Sequence, residues 1–411
     1  MPSLILQRRR RSTPGSPPSH AAGVRPQPRG GAARPAVFAA ALGLSLPRLA
    51  GQEGGASLAY KYEIYQEADD RIKVTNHNVR AAFDLGKAAH LSVRGVIDTI
   101  TGATPTGEPA PAGSDQVPLA HLEDERRAVV VDASRAFGGN TVQLEYAHSK
   151  EDDYVSDGYA ATWIRDFNQK NTQLQLGFAY NDDSIQPVFF TEARKKASRD
   201  FLVGLVQLLD RNTVLTVNLS YGTSDGFLSD PYKIVQKTVE ILPGFPLPLT
   251  FPENRPSSRE KTIVFTQVAH HFENLRASLD TSFRYYTDSH GIGSATVEAA
   301  WLQKVGDHLV LSPILRYYTQ SQADYYYVNL DDTPIVPVDE PDGSAPHYSS
   351  DYRLSKFDAV TIGLKAIWRF NDRWTLDATY ERYDMRGRDD ATPDSAYVTA
   401  DILTAGMSLS F

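Results

Sequence analysis

The sequence predicts an all-β fold: a transmembrane, antiparallel, up-and-down β-barrel of about 16 strands, with short periplasmic turns and long extracellular loops. Three observations carry this prediction. From residue 55 onward, segments of 10–14 residues alternate apolar with polar side chains, a period of two, and helical periodicity is scarce. The connections between those segments alternate short with long. The sequence also runs to its last residue inside a strand pattern: in "TAGMSLSF" at 404–411, Ala405, Met407, Leu409 and Phe411 share a face with Leu403, and Thr404, Gly406, Ser408 and Ser410 share the other. Such a strand suits a sheet that closes on itself and leaves no edge.

Taken in order, the first 51 residues are read as a basic segment and secretory signal, and 52–411 as a single barrel domain. "RRRRS" at 8–12 and Pro/Gly/Arg-rich text lead into the apolar "PAVFAAALGLSL" and then small residues, the order of an n-region, h-region and cleavage site. Strands are predicted at 56–66, 72–84, 88–98, 126–136, 140–149, 158–167, 171–181 and 199–208 in the first half. In the second half they fall at 212–223, 261–271, 275–286, 294–304, 308–319, 357–369, 373–384 and 397–411. Leu174, Leu176, Phe178 and Tyr180 against Gln173, Gln175, Gly177 and Ala179 show the alternation clearly. Val217 and Leu279 are placed outward near the bilayer midplane, with Asn218 and Ser278 facing the lumen.

Every second connection is a short turn, such as "LGKA", "AFGGN", "LLDRN" or "KVGDH". The others are mostly long and polar: "SKEDDYVSDG", "NDDSIQPVFFTEARKKA", the 224–260 stretch and the loop after 319. Aromatic side chains sort the same way. Tyr146, Tyr180, Tyr221, Tyr285, Tyr317 and Tyr380 sit on the apolar face near the long-loop ends, whereas Trp368, Phe370 and Trp374 flank a short turn. Two girdles at two headgroup levels are implied.

Composition narrows the alternatives. Mean hydropathy is −0.37 and no run of about 18 apolar residues exists, so a bundle of membrane-spanning helices is excluded. With 42 basic and 50 acidic residues the net charge is −8, which offers nucleic acid no general attraction. The absence of cysteine removes disulfides, thiolate chemistry and cysteine-based metal sites.

The stretches "DTITGATPTG" at 98–107, "LSDPYK" at 228–233, "RPSSRE" at 255–260, "FRYYTDSHGIGS" at 283–294 and "SSDYRLSKFDA" at 349–359 resemble a bacterial family known as domain of unknown function 3570. The resemblance implies an outer-membrane barrel without an assigned activity. Members of that family often sit beside genes for flavin-attaching and thioredoxin-like proteins, which implies an alternative role in an envelope redox assembly.

Charges of both signs fall on the predicted lumen face. Lys61, Glu63, Glu145, Arg276, Asp280, Arg284, Glu298, Arg316, Lys365, Arg369, Asp377 and Glu381 are placed there, where they either line a selectivity path or brace the wall, as Lys365 and Asp377 would on neighbouring strands. "DSHGIGS" and "SSDYRLSKFD" bring Asp, His, Ser and Arg into outer loops, yet no G-x-S-x-G elbow is present, and turn formation accounts for them better than hydrolysis. Acidic clusters such as "EDD" at 151–153 and "NLDD" at 329–332 lack the EF-hand spacing and read as a solvated rim. His270 and His271 point to opposite faces and cannot share a metal.

The expectation is therefore a porin-like channel or transporter for small polar or charged solutes in the bacterial outer membrane, not an enzyme, with no metal and no cofactor. Its expected partners are outer-membrane lipid and small solutes, and the barrel-assembly machinery is added because Phe411 at the end of an alternating strand resembles the terminal signal that bacterial outer-membrane barrels present to it. A non-conducting scaffold for a redox assembly is the alternative, and an outer-membrane hydrolase comes third.

Overall fold

In the computed structural model, residues 55–187 and 190–411 are described. The predicted signal lies outside them. The first half contributes nine wall strands: β1 Ala56–Glu67, β2 Lys73–Leu85, β3 Ala89–Pro105, β4 Leu119–Phe137, β5 Asn140–Lys150, β6 Tyr154–Phe167, β7 Thr172–Ile185, β8 Arg194–Leu208 and β9 Thr213–Gly226. A separate pair follows, β10 Ile234–Leu242 and β11 Phe245–Pro252. The wall then resumes with β12 Ser258–Phe272, β13 Ala277–Asp288, β14 Gly293–Val305, β15 Leu309–Gln320, β16 Phe357–Arg369, β17 Trp374–Gly387 and β18 Thr399–Ser410. Each wall strand pairs antiparallel with its neighbours in sequence, except that β9 pairs β12 across the inserted hairpin. β18 pairs β1 from Ser57↔Ser410 to Glu67↔Ala400, and the Phe411 N–H donates to the Ala56 carbonyl at 2.8 Å. The barrel is thus closed, and no wall strand keeps an unpaired edge.

Alternation decides the two faces. Leu58, Val79, Leu144, Leu176, Val203, Leu219, Phe283, Leu315, Ile362 and Leu403 are exposed on the outside, where hydrocarbon takes the place of water. The tyrosine girdle forms as predicted: Tyr146, Tyr159 and Tyr180 lie in one register row, with the first two rings 5.3 Å apart. Their hydroxyls reach polar partners at the headgroup level, as where Tyr146 donates to Asp157 at 2.8 Å and Tyr380 to Asp401 at 2.7 Å. Trp368, Phe370 and Trp374 are exposed beside the opposite rim.

The sequence-predicted strands all exist, but several end too early. β3 and β4 run to Pro105 and from Leu119, and β5 and β6 leave only Glu151–Asp153 between them, not a long loop. Past the bilayer both faces of a strand are wet, so alternation fades while the hydrogen-bonded ladder continues. The sequence of the hairpin β10–β11 reads as loop because prolines 246, 248 and 252 interrupt its second strand. Its Pro243–Gly244 turn, with Gly244 at φ +82°, is the signal that could have revealed it.

Candidate functional site

On the inner wall the predicted charges are largely satisfied in pairs. Arg316 grips Glu298, in register on the next strand, with Nε 2.6 Å from Oε2 and a second guanidinium nitrogen on the same oxygen. Asp280 accepts both its bonds from Gln267 at 2.7 Å. Lys61 meets Asp377 at 3.6 Å across Gly406, which stands in register between them. A Cβ on Gly406 would sit 2.5 Å from the Asp377 carboxylate, so the glycine is what lets the pair span three strands. Lys261 reaches Asp200 at 2.9 Å across Gly222 in the same way. Glu145 is 7% exposed, in register with Asp132 and within electrostatic reach of Arg94 and Arg80. Glu63 accepts from Thr404 at 3.1 Å, and Glu381 lies buried over Gly363. Arg284 stacks over Tyr286 at 5.5 Å.

One placement corrects the sequence reading. Arg276 is not on the lumen wall: it follows the one-turn helix Glu273–Leu275 in a left-handed conformation, and its guanidinium bonds the Gly306 carbonyl and Asp307 at the short-turn rim. Period-two alternation was extended one residue into a turn. Lys365 and Asp377 lie on neighbouring strands as predicted, one diagonal step apart in the register, and the Asp377 carboxylate also meets Lys61.

The larger surprise lies at the long-loop end, where the mouth is filled from inside. Tyr352 of the 321–356 loop and Ala396, Tyr397 and Val398 of the 388–398 segment form one core with the inward-facing wall residues Tyr318, Phe357, Ala359 and Met385. Ala323, Tyr325, Tyr326 and Leu354 pack on Tyr286, Ile292 and Ile263. Across the barrel, Tyr232 covers Ile72, Ile100 and Leu122. The loops therefore touch opposite arcs of the wall and join in the middle.

What joins them is a buried ionic network. Asp351 is 1% exposed and receives the Arg353 guanidinium at 2.6–2.9 Å and the Arg255 guanidinium at 2.9 Å. Arg353 continues to Asp230 at 2.5 Å, Arg255 to Glu253 at 2.6 Å, and the Ser349 hydroxyl also donates to Glu253. Lys233 lies 5.9 Å over the Tyr352 ring and donates to the Pro105 carbonyl at the end of β3. Three basic groups thus face three acidic ones, and each has a direct donor or acceptor, although the Arg255 Nε, 2.6 Å from Glu253, is not aligned to donate. Burial pulls the Lys233 ammonium down to about 8 and pushes the Glu253 carboxyl up to about 7, while Arg353 and Arg255 hold Asp351 well below the usual carboxylate range. Beside the network His290 uses both ring nitrogens, on the Ser258 carbonyl at 2.9 Å and the Tyr325 hydroxyl at 2.8 Å, and burial lowers it to about 4.

None of these network residues was singled out as a site from sequence. Yet Asp230 and Lys233 lie in "LSDPYK", Arg255 in "RPSSRE", His290 in "DSHGIGS", Asp351 and Arg353 in "SSDYRLS" and Pro105 in "DTITGATPTG": the stretches that carry the family resemblance converge on one place. Among the described residues, one acidic triad brings carboxylate oxygens within 4.8 Å of one another, Asp124, Glu151 and Asp153; Glu151 is 7% exposed, so "EDD" is not wholly a solvated rim. His270 and His271 bond Thr213 and Ser278 respectively, on separate faces.

A closed wall of 16 antiparallel strands with an apolar outer belt, two aromatic girdles and a polar lumen defines a bacterial outer-membrane β-barrel. Among the described residues no helix is long and apolar enough to cross a membrane. A family model described as "Protein of unknown function (DUF3570)" matches residues 35–403, and the chain belongs to that family. No curated protein matches. Similar solved structures include the siderophore receptor PirA from Pseudomonas aeruginosa, 14% identical with a TM-score of 0.42, covering 87% of this chain and 61% of that one. CdiB from Acinetobacter baumannii is 8% identical with a TM-score of 0.48, covering 87% and 60%. A loop-deleted OmpT from Vibrio cholerae is 11% identical with a TM-score of 0.39, covering 88% and 100%. The chain thus spans about three fifths of the length of PirA and of CdiB.

Proposed function

We propose that this barrel is a porin-like channel for small polar or charged solutes, with an outer mouth gated by its own loops. The observation that carries the reading is the wet inner wall: 16 strands enclose a lumen wide enough for water, and Lys61, facing into it, keeps 53% of its side chain exposed. Rings of paired charge set ion preference in such a path without committing the wall to one sign. The ionic network is the latch of the gate, because it ties the loops from both arcs together. Assembly proceeds through recognition of β18 and Phe411 by the barrel-inserting machinery in the same proposal.

Purified protein in a planar bilayer tests it. Wild type should give brief, rare conductance steps, and Lys61→Glu should move the ion preference toward cations while leaving heat-modifiable migration on gels unchanged. The filled mouth also favours a second reading, a non-conducting scaffold for an envelope redox assembly. A well-folded barrel that stays silent even when its latch is broken would establish that second reading over the first.

A further inference from the structure

The hairpin β10–β11 rises from the loop end with an apolar tip that nothing in the fold covers. Its base is anchored: Val235 is fully buried against Leu330 and Tyr348, and the Lys237 ammonium donates to three carbonyls, those of Leu330, Thr333 and Ile335, at 2.7–3.0 Å. Toward the turn the burial ends. Ile241, Leu242, Phe245 and Leu247 are exposed, Phe245 at 69%, and on the loop that holds the base Val336 is 73% exposed and Val338 is exposed too. These residues lie in water-facing segments beyond the wall strands, where several large apolar side chains exposed on one hairpin tip mark an interaction site.

The hairpin's free edge rules out one common way of using it. Pro248 stands opposite Thr238 and Pro246 opposite Glu240, and proline cannot complete a mutually hydrogen-bonded pair, so the ladder bonds belong to the odd-numbered residues of β11. The even-numbered positions then face outward, and at 246, 248 and 252 they are prolines without N–H groups. An incoming strand would find almost no donors there. Recognition must go through side chains.

The surrounding charge selects the occupant. Glu240, Asp332, Asp339 and Glu340 are exposed around this surface, and from residue 317 to 352 the loop carries no Lys or Arg at all. The hairpin's one ammonium, Lys237, is consumed by its carbonyls. An anionic lipid surface would be repelled, and a second copy would bring the same acids against the same acids. We infer that the β10–β11 tip docks a polypeptide whose apolar residues are flanked by Lys and Arg, with the acidic rim steering the approach and the four tip side chains making the contact. This surface serves a channel or a scaffold equally, and does not depend on which of the two the barrel is.

A photo-cross-linking benzoylphenylalanine in place of Phe245, or of Val336 in a second strain, tests the inference in intact cells. The expected result is an adduct whose trapped segment, read by mass spectrometry, is apolar and basic. It should fall at least tenfold when Asp332→Lys and Glu340→Lys are combined, and be missing when the probe replaces Glu192, another exposed residue at the loop end. Heat-modifiable migration reports that each variant folds. Adducts only with another copy of the chain, only with lipid, with a segment lacking basic residues, or with a yield indifferent to the rim charge would each overturn the assignment, as would no adduct from either position.

Discussion

Asp351→Asn is expected to release the outer mouth while leaving the barrel intact. The change is nearly isosteric, so packing around Tyr352 and Leu354 is kept and the loss is one of charge. Two guanidiniums, those of Arg353 and Arg255, then lose the carboxylate they share and remain buried with Asp230 and Glu253 as their remaining anions. Removing one partner of a buried ion pair costs about 3–5 kcal/mol, because the other charge is left without compensation. That energy is stored in the loops and not in the wall ladder, so the expected response is local opening of the 227–257 and 321–356 segments. Protease added from outside should cut the 321–356 loop at least tenfold faster than in wild type, and single-channel steps should become longer and more frequent, while unboiled protein still migrates as a folded barrel. A variant loop as resistant as wild type would show that the apolar clusters alone hold the mouth.

The same network gives the gate a pH dependence whose sign can be worked out. Asp351 titrates below its unfolded range, so its contribution is present above the ordinary aspartate value and is lost as pH falls through the lower folded one. Glu253 works the other way: raised to about 7, it favours the closed loops below the ordinary glutamate value and ceases to do so as pH rises through 7. On mild acidification from neutrality the Glu253 contribution therefore grows while that of His290, held at about 4 beside Tyr325 of the same loop, is lost, and strong acid removes that of Asp351 as well and should accelerate proteolysis of the loop. Glu253→Gln should leave the opposing His290 effect uncompensated, so between about pH 7 and pH 5 its loop should gain more protease sensitivity than the wild-type loop does, and the acceleration in strong acid should be kept.

The wall was legible in the sequence because a barrel strand imposes its period on nearly every residue it contains. Leu215, Val217, Leu219 and Tyr221 could not have been anything but one face of β9, and the β1–β18 closure followed from the last alternating run. The mouth was not legible, because nothing periodic links Lys233 to Pro105, or Arg353 to Asp230, 123 positions away. Polar loop text such as "SSDYRLS" reads as solvated turn until the fold buries it. Local rules misplaced Arg276 for a related reason: alternation says where a strand's side chains point, but not where the strand stops. Leu279 shows the same weakness in depth. Alternation places it near the midplane, yet it lies two residues inside the start of β13, in register with His270 and Trp301 near the short-turn rim.

Phe283→Arg should destabilise the folded barrel far more than the same exchange at Ser282 or Leu279 of β13. Phe283 sits midway along the strand, 45% exposed on the outer face, with Val297 and Thr266 as its register partners. An Arg there sits in the apolar belt between the short-turn rim and the Tyr285 girdle, and a lipid-facing charge costs up to about 2–4 kcal/mol, the upper end belonging to the midplane. One residue earlier, Ser282 points into the lumen in register with Glu298 and Gln267, so the same Arg meets water and a carboxylate and costs much less. At Leu279 the long side chain can snorkel to the nearby headgroups, and the cost falls to about 0–1 kcal/mol. Urea titration in lipid vesicles, followed by the heat-modifiable band, separates the three. The order Phe283→Arg far below wild type, with Leu279→Arg and Ser282→Arg close to it, is what the faces and depths require. Equal losses at Phe283 and Ser282 would mean that β13 presents no distinct lipid and lumen faces, and with that the inward placement of Asp280 and Arg284 would fall as well.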